Sequence, residues 1–263
     1  MAKDKTSVSN GEVFDKLRKS EQQSEQIASV NMLNHRYAEK KEADREWELN
    51  SFPVIHHSNA FSQAYKPSYR VIADELIPFL PLFTELDKRL AKGQVKVAIE
   101  GGSGSGKTTL CRMISDIYDC TVFHMDDFFL QPEQRTSERF AEPGGNVDRE
   151  RFLSEVLQPL GKGEPFSYRK FDCSSMSLGE SVTVVPKKLI VTEGAYSMHP
   201  ELASHYDFSV FLDISSELQK KRITQRNTPS SAERFFNEWI PLENEYFSAM
   251  NIKERCDMII SIR

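Results

Sequence analysis

No stretch of this sequence approaches the ~20 apolar residues that a membrane-spanning helix requires. The best candidate, residues 71–83, is broken by Asp74, Glu75, Pro78 and Pro81. Cysteine is scarce. Cys111, Cys120, Cys173 and Cys256 form neither a C-x-x-C pair nor a zinc spacing, so free thiols in a reducing compartment are expected. Strong charge of either sign is also missing: 34 basic side chains face 39 acidic ones, a net of −5. That balance argues against bulk nucleic-acid or anionic-membrane binding, both of which want a basic surface. No apolar run follows Met1-Ala2-Lys3-Asp4-Lys5, so no signal peptide is expected and the location implied is the cytoplasm. Internal repeats and low-complexity tracts are lacking too. What is there is a globular composition, 39% hydrophobic and 28% charged over 263 residues. A chain of this length buries a sizeable core without covalent staples. It suits one large α/β domain, or one domain with an appendage.

The first 50 residues differ from the rest, with 19 charged side chains and few apolar ones. Ile27, Val30, Met32, Leu33 and Tyr37 give some helical spacing. Residues 1–68 therefore read as a charged extension, helical or partly disordered, packed on the main domain or on another subunit; a homo-oligomer follows from the second option. Pro53 and Lys66-Pro67-Ser68 mark an irregular link. A domain spanning 69–263 then begins. Its first stretch is amphipathic through Val71, Ile72, Leu76, Ile77, Leu80, Leu86 and Leu90. Pro78 and Pro81 predict a kink or two shorter helices there.

Beyond residue 94, short β-type runs alternate with longer helical ones. Strands are expected at 95–99, 121–125, 189–192, 209–213 and 258–262, and helices at 107–118, 149–157 and 217–226. The strand candidates are mostly continuous apolar runs, as for strands covered on both faces. The alternation predicts a five-stranded parallel sheet flanked by helices. Ligands of such sheets bind at the carboxyl ends of the strands.

One such end carries Gly101-Gly102-Ser103-Gly104-Ser105-Gly106-Lys107-Thr108, which fits G-x-x-x-x-G-K-[ST]. The glycines allow a tight turn whose N–H groups point inward, where they can hold phosphate oxygens. The helix that starts near Lys107 adds the positive end of its dipole. Lys107 is placed to reach the β- and γ-phosphates, and the Thr108 hydroxyl to ligate Mg²⁺.

Acids stand at the next strand ends. The second strand runs into Asp126-Asp127, where a carboxylate can orient an acceptor hydroxyl and take its proton. Asp126 is the candidate base, and Asp127 beside it is a candidate contact to the same substrate. The third strand ends in Glu193-Gly194, and Glu193 is a candidate metal ligand. After the fourth strand, Arg222 and Arg226 lie four apart and share one helix face. Two guanidinium groups aimed together suit the oxygens of a transferring phosphoryl group. Each of these features alone is more often a cap or a solvated surface charge; their company beside the glycine loop favours function.

Together these residues resemble the uridine kinase family, and also the nicotinamide riboside kinases, among the P-loop kinases. The similarity spans roughly 95–262. His124-Met125-Asp126-Asp127-Phe128-Phe129 is similar to a D-[SD]-F-[YF] stretch whose first Asp is the catalytic base. Asn146-Val147-Asp148 resembles an N-F-D segment whose Asp binds ribose hydroxyls. Phe171-Asp172 stands where the family has Y-D, an aromatic side chain packed on the base. Thr192-Glu193-Gly194 is similar to the strand end x-E-G, and Lys221-Arg222-x-x-x-Arg226 to the arginine lid, with Arg234 a further phosphate contact. Trp239-Ile240-Pro241-Leu242 and Cys256-Asp257-Met258-Ile259-Ile260 resemble the closing helix and last strand. Two departures touch base recognition. Phe171 replaces the usual Tyr, and Cys173-Ser174-Ser175-Met176 lacks a clear equivalent of the His that helps read the pyrimidine.

The resemblance implies a helical lid and ATP·Mg²⁺ bound across residues 101–109, Thr109 included. It implies transfer to the primary hydroxyl of a small molecule, most simply a nucleoside held between Asp126, Asp148 and Phe171. Nicotinamide riboside, pantothenate or a sugar stay open as acceptors. A second class of function is a nucleotide-dependent regulatory module in which the loop acts as a switch. The Asp126, Asp148, Arg222 and Arg226 constellation separates the two, since a switch needs no acceptor site.

Overall fold

A computed structural model of the chain describes residues 74–263. The expected extension 1–68, and its boundary with the following domain, lie outside the described residues. The chain divides into two units between Asp87 and Lys88. In the described end of the first, a 3₁₀ turn, Asp74–Phe79, contains Pro78 and is followed by helix α1, Leu80–Leu90. Pro78 and Pro81 thus do what their geometry requires. Pro78 ends the tighter turn and Pro81 sits in the first turn of α1, where its missing N–H leaves no helical bond unmade.

The second unit is built on a five-stranded sheet in the order β2-β5-β1-β6-β7, every pair parallel. The strands are β1 (Val95–Gly101), β2 (Cys120–His124), β5 (Leu189–Glu193), β6 (Phe208–Ile214) and β7 (Met258–Ile262). All five fall on expected strands. The central three are almost wholly buried, while the edges β2 and β7 are only partly so. Continuous apolar runs such as Leu189-Ile190-Val191 therefore belong where helices cover both faces. Register sets the site: Ile99 pairs with Glu193, and Glu193 with His124. The ends of β5 and β2 are level with Ile99, and β1 continues past that level to Gly101, where the loop begins.

Helix α2 (Lys107–Ile117) buries Leu110, Cys111, Ile114 and Ile117, the spacing of one face. Helix α3 (Ser216–Arg226) is capped by Ser215, whose Oγ accepts from Leu218 N–H at 3.3 Å. The expected helix at 149–157 is less regular: Arg149–Phe152 is α-helical, Leu153–Leu157 a π turn, and Gln158–Leu160 α-helical again. A π turn, Phe235–Trp239, also leads into helix α4 (Ile240–Ala249).

The sequence reading did not anticipate an antiparallel hairpin, β3 (Phe166–Asp172) with β4 (Ser177–Val184). Its alternation breaks at a register shift between Arg169 and Phe171. Such a bulge moves later side chains to the other phase and erases a clean period of two. Aromatic packing seats the hairpin beside β2: Phe128 stacks on Tyr168 at 5.4 Å and meets Phe152 edge-on at 4.8 Å.

The loop before Arg149 is folded back by two arginines. Arg139 donates from Nε to the Gly145 carbonyl (2.8 Å), from Nη2 to the Val147 carbonyl (2.8 Å), and to both oxygens of Glu150. Buried Arg149 pairs with Glu142 at 2.6 Å and Glu201 at 3.1 Å. Gly145 leaves no room for a side chain, since a Cβ there would stand 1.9 Å from the Arg139 carbonyl oxygen. Gly145→Ala is expected to cost about 2 kcal/mol through this clash and to lower the melting temperature by about 5 °C. An unchanged thermal transition would show that the loop moves aside freely.

Candidate active site

The phosphate loop lies between β1 and α2. Gly104 and Gly106 hold φ of 78° and 101°, a left-handed turn that admits glycine without strain. Lys107 bends back over the loop, with Nζ donating to the carbonyls of Gly101 (2.6 Å) and Gly102 (3.1 Å). Thr108 and Thr109 are exposed on the first turn of α2. From outside, two helices strap the loop. On α3, Gln219 Nε2 donates to the Ser103 carbonyl at 2.8 Å, and Arg222 Nη1 to those of Gly104 (3.1 Å) and Ser105 (3.3 Å). On α4, Glu243 accepts from Ser103 N–H at 2.8 Å and from its hydroxyl at 2.6 Å.

Beneath the loop lies Glu100, fully buried near the end of β1. It accepts from Gly101 N–H (2.8 Å), Met198 N–H (3.0 Å) and the Tyr246 hydroxyl (3.1 Å). Burial pushes its carboxyl up to about 7 against those hydrogen bonds and the charge of Lys107.

Glu193 closes β5 and joins two neighbours. Its Oε1 accepts from the Thr108 hydroxyl at 3.0 Å and from His124 Nδ1 at 2.7 Å. Burial alone would raise this carboxyl. The His124 bond and the charge of Lys107 outweigh burial and hold it below the usual carboxylate range. The bond to Glu193 in turn raises the His124 imidazole, against partial burial. An ionised carboxylate beside a hydroxyl is a hard oxygen donor set of the kind Mg²⁺ takes. Among the described residues no cluster of three or more His, Cys, Asp or Glu is arranged to hold a metal. An ion at Thr108 and Glu193 would therefore complete its shell with water and phosphate oxygens, which is the usual habit of Mg²⁺.

Asp126 stands in the 3₁₀ turn Met125–Phe128. It is exposed, yet the protein crowded around its carboxyl displaces enough water to raise its pKa. Lys107 opposes that shift, while Glu193 and Asp127 add to it. The candidate base thus feels the charges of both the loop lysine and the candidate metal ligand. Asp127 points elsewhere, pairing with Lys170 of β3 at 2.9 Å.

The expected sugar and base contacts are placed less openly. Asp148 is 2% exposed. Its Oδ1 caps the helical turn Arg149–Phe152 by accepting from Arg151 N–H (3.0 Å), and its Oδ2 accepts from Gln134 Nε2 (2.9 Å). Phe171 is buried at the bulge of β3, with the Arg135 guanidinium 5.7 Å from its ring centre. Cys173-Ser174-Ser175-Met176 forms the hairpin turn, where Asp172 accepts from Ser174 and Ser175. The lid arginines separate. Arg222 reaches the loop, Arg226 lies on Phe235 (5.3 Å), and Arg234 pairs with Glu238 at 3.2 Å over Trp239.

Four contributors escaped the sequence reading: His124, Gln219, Glu243 and Glu100. His124 precedes Asp126 by two residues, and strand alternation placed it on the face of Glu193 only once the register was known. Gln219 and Glu243 meet the loop across 116 and 140 residues of chain, a distance that no local spacing encodes.

A family model described as "Phosphoribulokinase / Uridine kinase family" matches residues 96–234, just over half of the chain. A uridine kinase from Bacillus cereus (strain B4264) is 27% identical over 183 residues, covering 63% of this chain and 84% of that protein. A phosphoribulokinase from Synechocystis sp. is 26% identical over 149 residues, 55% of this chain and 43% of that protein. In architecture the chain is similar to a structure titled as a possible uridine kinase from Bacillus stearothermophilus. The TM-score is 0.50 at 21% identity, over 67% of this chain and 99% of that one.

The His124–Glu193 pair has a defined pH window. An imidazole raised above its ordinary 6.5 on folding adds stability that is complete below 6.5 and lost as pH rises through the raised value. A carboxyl held below its ordinary 4.5 adds stability above 4.5 and loses it as pH falls. Urea unfolding of wild type and His124→Gln is expected to differ most between these limits and to converge in alkali. A gap that is constant with pH, or that widens above pH 6.5, would contradict the pairing.

Proposed function

Because the chain belongs to the phosphoribulokinase / uridine kinase family, we propose that it is an ATP-dependent kinase that phosphorylates the primary hydroxyl of a nucleoside. One observation supports this reading above the others: at the carboxyl ends of β1, β5 and β2, Thr108 bonds to Glu193, and the charges of Lys107 and Glu193 both act on Asp126. A base, a phosphate-loop lysine and a hard metal-binding pair are the parts that phosphoryl transfer to an alcohol needs.

ATP binds along residues 101–109, with its phosphates on the loop amides. Lys107 Nζ exchanges the carbonyls of Gly101 and Gly102 for phosphate oxygens. Thr108 and Glu193 would hold Mg²⁺, which would supply positive charge to offset that of the phosphates. Asp126 accepts the proton of the acceptor hydroxyl and lines that oxygen up for in-line attack on the γ-phosphorus. Its raised pKa favours proton uptake, since a base works best as its pKa nears the working pH. Arg222 holds the loop through two carbonyls and presents its remaining N–H groups to developing charge, while Arg226 and Arg234 arrive as the lid closes and excludes water. Phe171 offers an apolar face to the base, with Arg135 beside it. A ribose diol meets Asp148 by replacing the Gln134 amide, because Oδ1 is committed to capping a helix. Asp127, tied to Lys170, holds the hairpin against the acceptor site.

Acceptor-dependent ADP release across a panel of nucleosides tests the reading; slow hydrolysis indifferent to the panel would replace it with a nucleotide switch. Lys107→Ala is expected to abolish transfer. Asp126→Asn is expected to keep nucleotide affinity while lowering kcat by about 10²–10⁴-fold, the usual worth of a positioned base. Near-normal turnover in that variant would assign the base elsewhere.

A further inference from the structure

Helix α4 carries a carboxylate that phosphoryl transfer does not require. Glu243 is 5% exposed, and its two oxygens accept from the N–H and the hydroxyl of Ser103, the third residue of the phosphate loop. The Ser103 carbonyl is taken by Gln219 of α3, so every polar group of Ser103 is held by one of two helices. Three residues along α4, on the same face, the Tyr246 hydroxyl donates to Glu100, which also accepts from Gly101 N–H. One helix thereby holds the third residue of the loop directly and reaches the first through Glu100. The surroundings make this an unexpected place for an acid. Glu243 is buried, and it feels the attraction of Lys107 and the repulsion of Asp126. A carboxylate set against a loop whose amides receive a triphosphate also adds like charge to the site. Its geometry explains its presence: a planar group with two polar atoms, one for each bond, takes the N–H and the hydroxyl of a single residue at once.

We propose that Glu243 is a positioning residue of the nucleotide site: by holding Ser103 from both sides of its backbone turn, it sets the phosphate loop in its binding conformation and makes nucleotide affinity depend on the docking of α4. This rests on the reading that residues 101–109 bind ATP. Glu243 touches no reacting atom, and its influence runs through the backbone of Ser103. Gly102 lies under the same strap, where a Cβ would stand 3.0 Å from Gln219 Nε2 and 3.6 Å from Glu243 Oε2. The α3 and α4 side chains thus lie close against the loop at Gly102 as well as at Ser103.

Titration calorimetry of the full chain with MgATP, alongside steady-state kinetics and melting temperatures, tests the inference. A charge-assisted hydrogen bond to a buried carboxylate carries enough free energy that Glu243→Ala should weaken ATP binding by about tenfold or more. Glu243→Gln keeps an acceptor oxygen for the Ser103 N–H and a donor for its hydroxyl, so it should restore affinity to within about threefold of wild type. The KM of the acceptor should stay within about twofold in both variants. Ser103→Ala removes the 2.6 Å bond without emptying a buried site and should weaken ATP by about threefold. It decides the matter if Glu243→Ala does not fold. Wild-type ATP affinity in a folded Glu243→Ala protein, or in Ser103→Ala where the former is unfolded, overturns the proposal. So does equal loss in the Ala and Gln variants, or a loss of thermal stability with ATP affinity unchanged. Failure of the wild type to bind ATP would instead overturn the assignment of the loop itself.

Discussion

The register of three parallel strands is the constraint on which the rest of the molecule depends. Ile99 of β1, Glu193 of β5 and His124 of β2 stand at one level. A parallel ladder is fixed in steps of the side-chain alternation, and a slip of one residue would turn Glu193 from the site toward the opposite face. Both strands are buried along nearly their whole length, so such a slip would unseat side chains packed under helices on both faces. Hydrophobic burial along these strands therefore does the aiming. It brings together the phosphate loop, the acid at the end of β5 and the acidic turn after β2, and the hydrogen bonds of Glu193 to Thr108 and His124 then join them.

The parts of this arrangement that local spacing encodes were legible in the sequence. The glycine loop, the five core strands and the acids at their ends are each contiguous patterns, and the two candidate metal ligands, Glu193 and Thr108, lie 3.0 Å apart. What the sequence hid is non-local or irregular. The β3–β4 hairpin was missed because its bulge interrupts the alternation that would have announced Phe166, Tyr168 and Phe171 as one face. The π turns at Leu153–Leu157 and Phe235–Trp239 shift the helical phase in the same way. Arg222 and Arg226 do share a side of α3, but the chain turns at Asn227 into the Pro229–Arg234 helix, and Phe235 returns to cover Arg226. Asp148 carries the residue type the resemblance asked for, yet its first commitment is to a helix cap. A sequence motif cannot separate these two duties, since Asp is favoured at both.

Electrostatics then divides the labour among acids that look alike in the sequence. Asp126, Glu193, Glu243 and Glu100 all feel the charge of Lys107, and desolvation is the largest influence on each. Desolvation alone would push all four carboxyls upward. Three of them do rise, and Glu193 falls, because it alone has an imidazole as a hydrogen-bond partner. The consequence is chemical. A carboxylate kept ionised suits a divalent cation, whereas one with a raised pKa suits proton transfer, and the pair lies within mutual electrostatic reach. His124 thus acts on both: its bond to Glu193 keeps that group anionic, and its charge partly offsets the repulsion that Glu193 exerts on Asp126. Neutralising the imidazole would blur the distinction between the two acids. The roles proposed for these two acids thus depend on a histidine that carries no catalytic motif of its own.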